Sequence, residues 1–510
     1  MRKTLTEILS LISFQPASDI KYQSIIARNC LRLGKVLTLF KSNNLNYISY
    51  YYNFGYNNEN YYRRYEMKFY GREKELQALK IAQEGAKKGP ARMTVVTGRR
   101  RVGKTTLIRK SVAGELSVYY FVSSNSEAVL CDHFAKIASE QLGEYIPSGY
   151  KSFSKLFETL MLIGQRKSFT LIVDEFQEFF RINSSIYSEM QDVWDRNKDE
   201  SRIHVILSGS VHSLMKRIFE DNREPLFGRA TTKIFLKPFQ IEEMQSLFKE
   251  YAPNSSNEDL LALYMFTGGV PFYMADFIDN NVYTKDAMID WIVRPGSLFI
   301  NEGRTLLSME LGKKSAQYFS ILSLMAQGET NASRISDQMN AGVLSSYFDR
   351  LETEYELIEK LRPALSKPNA KFVRYILKDP FMKFWFRFIF RNQDLIELGQ
   401  SEIIADEIRN NYETYSGLML ERYFRQKLFE TGKYIEVGSW WNQKRGIDNK
   451  QDEIDIVAIE RNKAAVLVAE VKRQRKSFRE FEFLNKVEHL KTLGLGKMNV
   501  ETRCLTLENM

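Results

Sequence analysis

The segment from Met93 to Leu107 constrains the fold of this chain more than any other stretch. A short β-branched run ends at Gly98, and after four residues Gly103-Lys104-Thr105 opens a helical pattern. This is the spacing G-x-x-x-x-G-K-[ST], lying between a strand and a helix as a phosphate-binding loop requires. The sequence therefore predicts a P-loop and a parallel α/β sheet that carries it.

Each residue type in this loop has a chemical role. Glycines let the backbone turn so that its N–H groups point at phosphate oxygens, and the next helix adds its positive end. Lys104 is expected to reach the β- and γ-phosphates, and the Thr105 hydroxyl to ligate Mg²⁺. The predicted nucleotide-binding residues are Gly98, Arg99, Arg100, Arg101, Val102, Gly103, Lys104, Thr105 and Thr106. A Gly-rich β–α turn is the alternative, but the spacing with Lys and Thr favours a nucleoside triphosphate.

A second apolar run, from Phe169 to Val173, leads directly into the carboxylates Asp174 and Glu175. Such a run downstream of a P-loop predicts a central parallel strand whose carboxyl end lies beside the phosphate loop. We expect Asp174 to hold Mg²⁺, directly or through water, and Glu175 to polarise the attacking water. An exposed strand end, where acidic residues are common, is the alternative.

Length and composition fit a multidomain cytoplasmic protein. A chain of 510 residues has room for about three domains. The net charge of +10 permits an anionic partner but, over this length, supports nucleic acid only weakly. Cys30, Cys131 and Cys504 lie far apart without metal spacing, as in a reducing cytosol. No apolar run has membrane-spanning length, and the first residues lack a signal-peptide pattern, so we expect no membrane partner.

Residues 1–66 differ from the rest of the chain. Asn and Tyr dominate from Asn43 to Tyr65 without a sustained period of two or 3.6, which predicts a disordered or weakly β-prone arm. A basic, Tyr-rich arm is also able to stack on nucleic-acid bases. We favour a third interpretation, in which Met67 is the initiator and residues 1–66 are a mis-assigned leader, because the sequence from Met67 reads as the start of a domain.

Strands and helices alternate from Phe69 to Ser210, which predicts a parallel sheet covered on both faces. With the motifs Phe69-Tyr-Gly-Arg-Glu and Ile172-Val-Asp-Glu-Phe, the chain resembles the archaeal-type ATPases of the AAA+/STAND assemblage, which are similar to origin-recognition ATPases. The resemblance implies an ATP- and Mg²⁺-dependent ATPase core over residues 67–237 and a helical lid over 238–303. It also implies nucleotide-dependent self-association.

The same resemblance implies three further functional positions. Ser210, or less strongly Ser208, lies at the end of a strand where such ATPases sense the γ-phosphate. Arg229 follows a glycine at the family's arginine position and is expected to stabilise transition-state charge, within the chain or across a neighbour; a surface salt bridge is the alternative. Gly269 and Pro271 match the Gly-x-Pro signature of the lid, although such a sequence also ends ordinary helices.

Residues 304–392 form a different module in the sequence. Three short helices and two strands around a basic turn predict a winged helix. Its third helix, Leu344–Glu354, carries no basic excess, so docking to DNA and docking to protein both remain open, with DNA slightly favoured. The segment Phe381–Phe390 is aromatic on every side and predicts a buried helix that joins this module to the next.

The last module, residues 393–510, has Asp455 on one predicted strand and Glu470-Val471-Lys472 on the next. Because side chains alternate along a strand, Glu470 and Lys472 share a face. Two carboxylates can hold Mg²⁺ against a phosphodiester while the lysine orients or deprotonates water.

This pattern resembles the PD-(D/E)xK nuclease fold. The resemblance implies metal ligation by Asp455 and Glu470, a catalytic role for Lys472, and an accessory carboxylate at Glu421. Ile454 stands where the family has Pro. A degenerate copy, kept for structure or for holding DNA, is the alternative.

The predicted architecture is an α/β P-loop NTPase, with an AAA+-like parallel sheet, a helical lid, a winged helix and a small α/β restriction-endonuclease-like domain. The first functional hypothesis is a Mg²⁺-dependent ATPase that couples nucleotide state to DNA binding and cleavage. The second is a STAND-type regulatory switch that acts through protein partners and carries a degenerate nuclease domain.

Overall fold

The computed structural model describes residues 67–311, 315–367, 369–370, 372–445, 451–495 and 498–510. The described residues, from Met67 onward, belong to one compact unit. The predictions made for residues 1–66 lie outside the described residues. In the part of the chain that is described, no helix has both the length and the apolar character needed to cross a bilayer.

The first half of the described chain is organised around a five-stranded parallel sheet. Its strands are β1 (Arg92–Thr97), β2 (Ser117–Phe121), β3 (Phe169–Asp174), β4 (Ile203–Gly209) and β5 (Thr232–Phe235). Their order is β2-β3-β4-β1-β5, and every pairing is parallel. The strands that lead into the P-loop and the acidic pair, β1 and β3, both pair with β4. Their carboxyl ends therefore meet at one edge, which confirms the predicted P-loop NTPase fold.

Helices cover both faces of this sheet. They are α1 (Glu73–Lys88), α2 (Lys104–Ser111), α3 (Glu127–Leu142), α4 (Phe153–Arg166), α5 (Phe179–Ile182), α6 (Ile186–Asn197) and α7 (His212–Glu220). Every residue of β3 and β4 is buried, as expected for central strands covered on both sides. Neighbouring residues such as Leu171 and Ile172 pack into different clusters, one under α3 and α4 and the other under α1 and α2.

A helical region follows the sheet. It contains α8 (Ile241–Tyr251), α9 (Asn257–Thr267), α10 (Pro271–Ile278), α11 (Lys285–Val293) and α12 (Leu298–Leu311). Its apolar side chains share one core with the later helices. Helix α12 is continuous across residues 303 and 304, where the sequence had placed a domain boundary.

Three helices and a short antiparallel pair come next, as the sequence predicts. They are α13 (Ser315–Ala326), α14 (Ala332–Gln338), α15 (Ser345–Thr353), β6 (Ile358–Leu361) and β7 (Arg374–Leu377). The aromatic segment differs from the single helix expected. It consists of α16 (Pro380–Phe384), a π-helical turn (Trp385–Ile389) and a 3₁₀ turn (Phe390–Asn392). These changes of helical period redirect successive side chains, so aromatic residues on several sides of the segment become buried.

The C-terminal part is a mixed sheet between two helices. Its elements are α17 (Gln393–Glu397), α18 (Ser401–Glu430), β8 (Tyr434–Arg445), β9 (Gln451–Glu460), β10 (Ala465–Val471), α19 (Glu480–Gly494) and β11 (Asn499–Leu505). The order is β11-β10-β9-β8; β8, β9 and β10 are antiparallel neighbours, and β11 is parallel to β10. Ala469 faces the core that includes α18, while Val468 faces the cluster that includes α19.

Candidate active sites

The two P-loop glycines occupy backbone conformations that favour glycine. Gly98 has φ of +145°, and a Cβ there would lie 2.4 Å from the Leu236 carbonyl oxygen. Gly103 has φ of +95° at the position that precedes α2. A side chain at Gly98 would collide with backbone, and one at Gly103 would be strained. The loop between β1 and α2 therefore requires the glycines that the motif predicts.

Lys104, the first residue of α2, is almost fully buried. Its ammonium donates to the carbonyl oxygens of Gly98, at 2.8 Å, and Arg99, at 3.0 Å. Burial lowers the pKa of Lys104 to about 8, although the charges of Glu175 and Asp174 oppose that change. In a nucleotide complex, phosphate oxygens would replace the two carbonyl oxygens as acceptors of these hydrogen bonds. Because phosphate oxygens are negatively charged, they would favour the protonated ammonium.

Asp174 is the last residue of β3, and its carboxylate accepts hydrogen bonds from three neutral donors. Its Oδ2 accepts from the Thr105 hydroxyl at 3.0 Å and from the Tyr119 hydroxyl at 2.6 Å, and its Oδ1 accepts from the Glu175 amide at 3.0 Å. Thr105 and Asp174 are thus adjacent oxygen donors, as a Mg²⁺ site requires. Burial, and then the charge of Asp174, raise the pKa of Tyr119, so its phenol remains a donor.

Sequence reasoning missed Tyr119. It lies on β2, opposite Ile172 of β3 in the strand register, so its side chain reaches Asp174 only because of that pairing. The sequence feature that could have indicated this contact is a tyrosine near the end of the strand that neighbours β3.

Glu175 follows β3 with a positive φ of 55°. Its Oε2 accepts from the Ser210 hydroxyl at 2.7 Å and from the Gln177 side-chain amide at 2.5 Å. The predicted phosphate sensor is therefore bonded to the predicted base, while Ser208 is buried within β4. Gln177 was not predicted; it is buried in the 3₁₀ turn after β3.

The three P-loop arginines direct their side chains towards later parts of the chain. Arg99 forms an ion pair with Asp379, just before α16. Arg100 contacts the Met309 sulfur, and Arg101 donates to Glu302 at 3.1 Å, both in α12. The Arg101 guanidinium also lies 4.0 Å from the centre of the Phe272 ring in α10. Of the remaining predicted loop residues, Val102 is buried and Thr106 is exposed. The P-loop backbone remains free to cradle phosphate, but its arginine side chains join the ATPase sheet to the following helices.

The predicted lid residues Gly269 and Pro271 lie close to this junction. Gly269 has φ of +74°, and its carbonyl oxygen accepts from the Phe239 amide at 2.8 Å. Pro271 is the first residue of α10, next to Phe272.

Arg229 is placed differently: its guanidinium donates to Asp195 at 2.9 Å and to the Phe227 carbonyl at 2.9 Å. Its contacts in the described residues do not reach the P-loop, so its role within one chain has no geometric support.

Helix α12 also covers the end of β4. The Glu310 carboxylate accepts from the His212 amide at 2.9 Å and the Ser213 hydroxyl at 3.1 Å, just beyond Ser210. Burial raises the pKa of Glu310 despite these hydrogen bonds. Lys216 of α7 pairs with Glu356, before β6, at 3.2 Å. None of these contacts is visible in sequence, because each joins residues about a hundred or more positions apart.

The C-terminal cluster brings together the residues that the second motif predicts. The Lys472 ammonium lies 2.9 Å from Glu470 Oε1 and 3.9 Å from Asp455 Oδ2. Asp455 Oδ2 also accepts from the Val471 amide at 2.7 Å. A second lysine that the motif does not include, Lys486 of α19, approaches Glu470 Oε1 at 3.5 Å.

Burial and mutual repulsion shape this cluster. Burial, followed by the charge of Glu470, raises the pKa of Asp455. Burial, followed by the charge of Asp455, raises the pKa of Glu421 on α18 to about 7. Burial acts to lower the pKa of Lys472. The hydrogen bond from Lys472 to Glu470 and the negative charge of Asp455 have the larger combined effect, so the pKa of Lys472 is raised. The cluster thus places three carboxylates, Asp455, Glu470 and Glu421, beside three cationic side chains, Lys472, Lys486 and Arg425, the last of which lies 3.6 Å from Glu421.

One carboxylate oxygen in the cluster is left open. Glu470 is only 8% exposed, and its Oε2 has no hydrogen-bond partner among the described residues. A buried anionic oxygen without a partner fits a cation. Within the described ranges, no three His, Cys, Asp or Glu side chains are arranged to hold a metal ion. The geometry therefore offers two carboxylates, Asp455 and Glu470, with the remaining ligand positions left to water or a phosphate oxygen.

Ion pairs and backbone contacts connect this domain to the rest of the chain. Arg473, next to Lys472, donates to both carboxylate oxygens of Glu258 in α9, at 3.1 and 2.5 Å. The turn between β6 and β7 lies on β8, where the Ala364 amide donates to the Ser439 carbonyl at 2.8 Å. This turn would be the wing of a winged helix. Its Ala364 is buried in the cluster that includes Trp440.

The family comparisons agree with the P-loop site. Residues 69–277 match the family described as an ATPase domain predominantly from Archaea. Residues 385–484 match a family described as Archaea bacterial proteins of unknown function. The first match spans the P-loop, the acidic strand and the chain as far as helix α10. The chain is therefore a nucleotide-binding ATPase, as its fold and site predict.

Particular relatives are similar to longer parts of the chain. An uncharacterized protein of Methanocaldococcus jannaschii is 28% identical over 422 residues, which are 79% of this chain and 87% of that protein. The Walker-type ATPase PABY2304 of Pyrococcus abyssi is 18% identical with a TM-score of 0.47, covering 62% of this chain and 96% of that one. The Aeropyrum pernix ORC2 protein is 15% identical with a TM-score of 0.41, covering 68% and 98%.

Proposed function

We propose that this ATPase binds DNA and cuts it at a Mg²⁺-dependent site in its C-terminal domain, under the control of its nucleotide state. The observation that carries the proposal is the cluster of Asp455, Glu470 and Lys472, in which a buried Glu470 oxygen has no partner among the described residues. A purely structural cluster would be expected to satisfy that oxygen, because an unpaired buried anion is costly.

The ATPase site supplies the energy input. Lys104 and the loop amides would bind the β- and γ-phosphates, while Thr105 and Asp174 would hold Mg²⁺, which neutralises charge on the phosphates. Glu175 would accept a proton from the attacking water after Ser210 and Gln177 release its Oε2. The hydrogen bonds that Ser210 and Gln177 donate to Glu175 therefore have to break before hydrolysis.

The C-terminal residues would act on a phosphodiester. Asp455 and Glu470 would hold Mg²⁺, and that ion would supply Lewis-acid stabilisation of the phosphate. Lys472 already lies within hydrogen-bonding distance of Glu470, where it would orient a water molecule and stabilise developing negative charge. Glu421 would act as the accessory carboxylate, in its ionised form once positive charge is added to the site.

Coupling between the two sites has a direct route. Glu258 belongs to lid helix α9, and its two-pronged pair with Arg473 lies one residue from Lys472. The lid also meets the P-loop, through Phe272 and Arg101. A nucleotide-dependent shift of the lid would therefore move a partner of the segment that carries Lys472.

The test is cleavage of supercoiled plasmid in Mg²⁺ or Mn²⁺, with and without ATP. We expect nicked or linear product from the wild type and none from Asp455→Asn, while ATP hydrolysis stays unchanged. A matched control is Glu460→Gln on the same strand, because Glu460 pairs with the exposed Lys433 and should not affect cleavage. A wild-type protein that binds DNA but never cuts it would refute the nuclease role, and cleavage by Asp455→Asn would refute the assigned residues.

A specific observation supports the second candidate, a STAND-type switch that acts through protein partners. Ala364, in the turn that would be the wing, is hydrogen-bonded to Ser439 of β8, and the third helix α15 carries no basic excess, so the module offers DNA little of what a winged helix uses to bind it. A salt titration of DNA affinity separates the candidates. DNA binding through phosphate contacts gives a steep loss of affinity with salt, whereas the switch requires no DNA affinity.

A further inference from the structure

Strand β11 forms one of the two edges of the C-terminal sheet. In the described part of the chain, β11 pairs only with β10. The Asn499 amide donates to the Ala464 carbonyl, and the Leu505 carbonyl accepts from the Lys472 amide. In a strand, the backbone groups of successive residues point to opposite sides. The N–H and C=O groups of Val500, Thr502 and Cys504 therefore point away from β10, and no described residue pairs with them there.

This open edge lies in a groove whose lining is partly apolar and partly charged, with Lys427, Arg475 and Glu480 beside the strand. The groove encloses about 550 Å³ and is lined by β11 together with residues from the helices on both faces of the sheet. Phe424 and Leu428 of α18 line one side, and Phe483 and Leu484 of α19 line the other. Leu484 is 42% exposed, so apolar surface remains beside the strand. Proteins usually cover or charge such an edge, because it readily pairs with another strand.

The side chains of β11 are complementary to a second copy of the same strand. Arg503 donates to Glu501 within one chain at 2.6 Å, so both lie on the same face of the sheet. If two copies pair antiparallel about Thr502, Glu501 lies opposite the partner's Arg503, and Val500 lies opposite the partner's Cys504. Opposite charges facing one another across strands are favourable, and a two-fold axis gives each pair twice.

We infer that β11 is a dimerisation edge, through which two copies of this chain join their four-stranded C-terminal sheets into one continuous sheet. The outward backbone groups of Val500, Thr502 and Cys504 form the new hydrogen bonds, and the charge pattern of Glu501 and Arg503 sets the register. No residue of the P-loop takes part. This association is thus distinct from the nucleotide-dependent self-association expected from the ATPase resemblance, and it does not depend on nuclease activity.

The first test uses proline at two adjacent positions of β11. The Thr502 amide points outward, so Thr502→Pro should convert dimer to monomer, measured by light scattering and sedimentation, with little change in melting temperature. Arg503→Pro is the matched control. Its amide points to β10, so proline there removes a hydrogen bond within the sheet and should lower the melting temperature. A dimer that survives Thr502→Pro in a folded protein would overturn the inference.

A second test does not rely on backbone changes. Glu501→Arg places arginines opposite arginines, and Arg503→Glu places glutamates opposite glutamates, so each variant alone should dimerise at least about tenfold more weakly. Mixed together, the two variants should form a heterodimer, because every arginine then faces a glutamate. The double variant Glu501→Arg with Arg503→Glu should dimerise like the wild type.

The control for these charges is the exposed pair Asp192 and Arg196 on α6, where the same exchange should leave dimerisation unchanged. A wild-type chain that stays monomeric at roughly 100 μM would overturn the inference, since the edge would then have no useful affinity for itself. A mixture of the two single variants that forms no heterodimer would show that the contact lies elsewhere and overturn it as well.

Discussion

The two acidic sites of this chain both contain a pair of carboxylates, but the groups that contact those carboxylates differ between the sites. In the P-loop site, Asp174 and Glu175 follow one another at the end of one strand and accept hydrogen bonds from hydroxyls and amides. In the C-terminal site, Asp455 and Glu470 lie on adjacent strands, and lysine ammonium groups are beside them.

This difference has a physical consequence. Neutral groups donate to the P-loop carboxylates, while the Lys104 ammonium, which interacts with both of them electrostatically, is hydrogen-bonded to loop carbonyls instead. The lysines in the C-terminal site cancel part of the charge, but burial still raises the pKa values of Asp455 and Glu421. On the proposed function, the first site acts on a bound triphosphate, and the second is expected to gain stability from a bound Mg²⁺ ion.

The largest expected effect is that of Lys104→Ala. This change removes the only ammonium that the described P-loop backbone holds, at Gly98 and Arg99, and should abolish ATP binding. Binding is measured by titration with a fluorescent ATP analogue, and turnover by phosphate release, where we expect at least about a 100-fold loss of kcat/KM. Lys110→Ala, which removes an exposed lysine from the last turn of α2, is the control and should bind normally. Retained affinity in Lys104→Ala would remove the lysine from the phosphate site.

Glu175→Gln should separate binding from turnover. The amide keeps the shape of the side chain but cannot accept a proton, so ATP affinity should remain while kcat falls by about 10²- to 10⁴-fold. Both quantities are measured as for Lys104→Ala. Equal loss of binding in the two variants would contradict the different roles assigned to them.

Lys472→Ala and Lys486→Ala sharpen the contrast within the C-terminal site. Lys472 contacts both carboxylates, whereas Lys486 approaches only Glu470, at 3.5 Å. On the proposed nuclease function, Lys472→Ala should remove plasmid cleavage, and Lys486→Ala should reduce it by roughly tenfold. Both variants should hydrolyse ATP at the wild-type rate. An inactive Lys486→Ala beside an active Lys472→Ala would reverse the two assignments.

Much of the fold was accessible from sequence, because local patterns carry it. The strands before the P-loop and the acidic pair follow from buried apolar runs, and the alternation of strands and helices from Phe69 to Ser210 predicts the parallel sheet. The π-helical turn at Trp385–Ile389 was not predicted, since an aromatic run does not reveal a change of helical period. Strand β11 and helix α19 were also missed, because their exposed residues weaken the apolar pattern.

The candidate sites were predicted only as far as their motifs extend. The residues named from motifs in the C-terminal site do meet, but Lys486 joins them from a separate helix. The arginines Arg99 and Arg101 were assigned to nucleotide, yet their side chains contact Asp379 and Glu302. Strand register and helix packing decide such contacts, and neither is written in a short motif.

The smallest predicted effect, that of Tyr119→Phe, tests the idea that neutral donors organise the P-loop site. The change removes one of the two hydroxyls that donate to Asp174 Oδ2 and leaves the ring and Thr105 in place. On the proposed role of Asp174 as a Mg²⁺ ligand, Tyr119 acts on the ion through that carboxylate. The Mg²⁺ concentration for half-maximal ATPase should therefore rise by roughly tenfold, while kcat at saturating Mg²⁺ stays near the wild-type value.

A second readout avoids turnover altogether. The rise in melting temperature produced by a non-hydrolysable ATP analogue should depend more steeply on Mg²⁺ in Tyr119→Phe than in wild type, and should be equal for both in excess EDTA. The control is Tyr120→Phe on the same strand, whose buried hydroxyl lacks a hydrogen-bond partner among the described residues. A uniform loss of kcat without any change in Mg²⁺ dependence would show that Tyr119 supports the sheet and does not position Asp174.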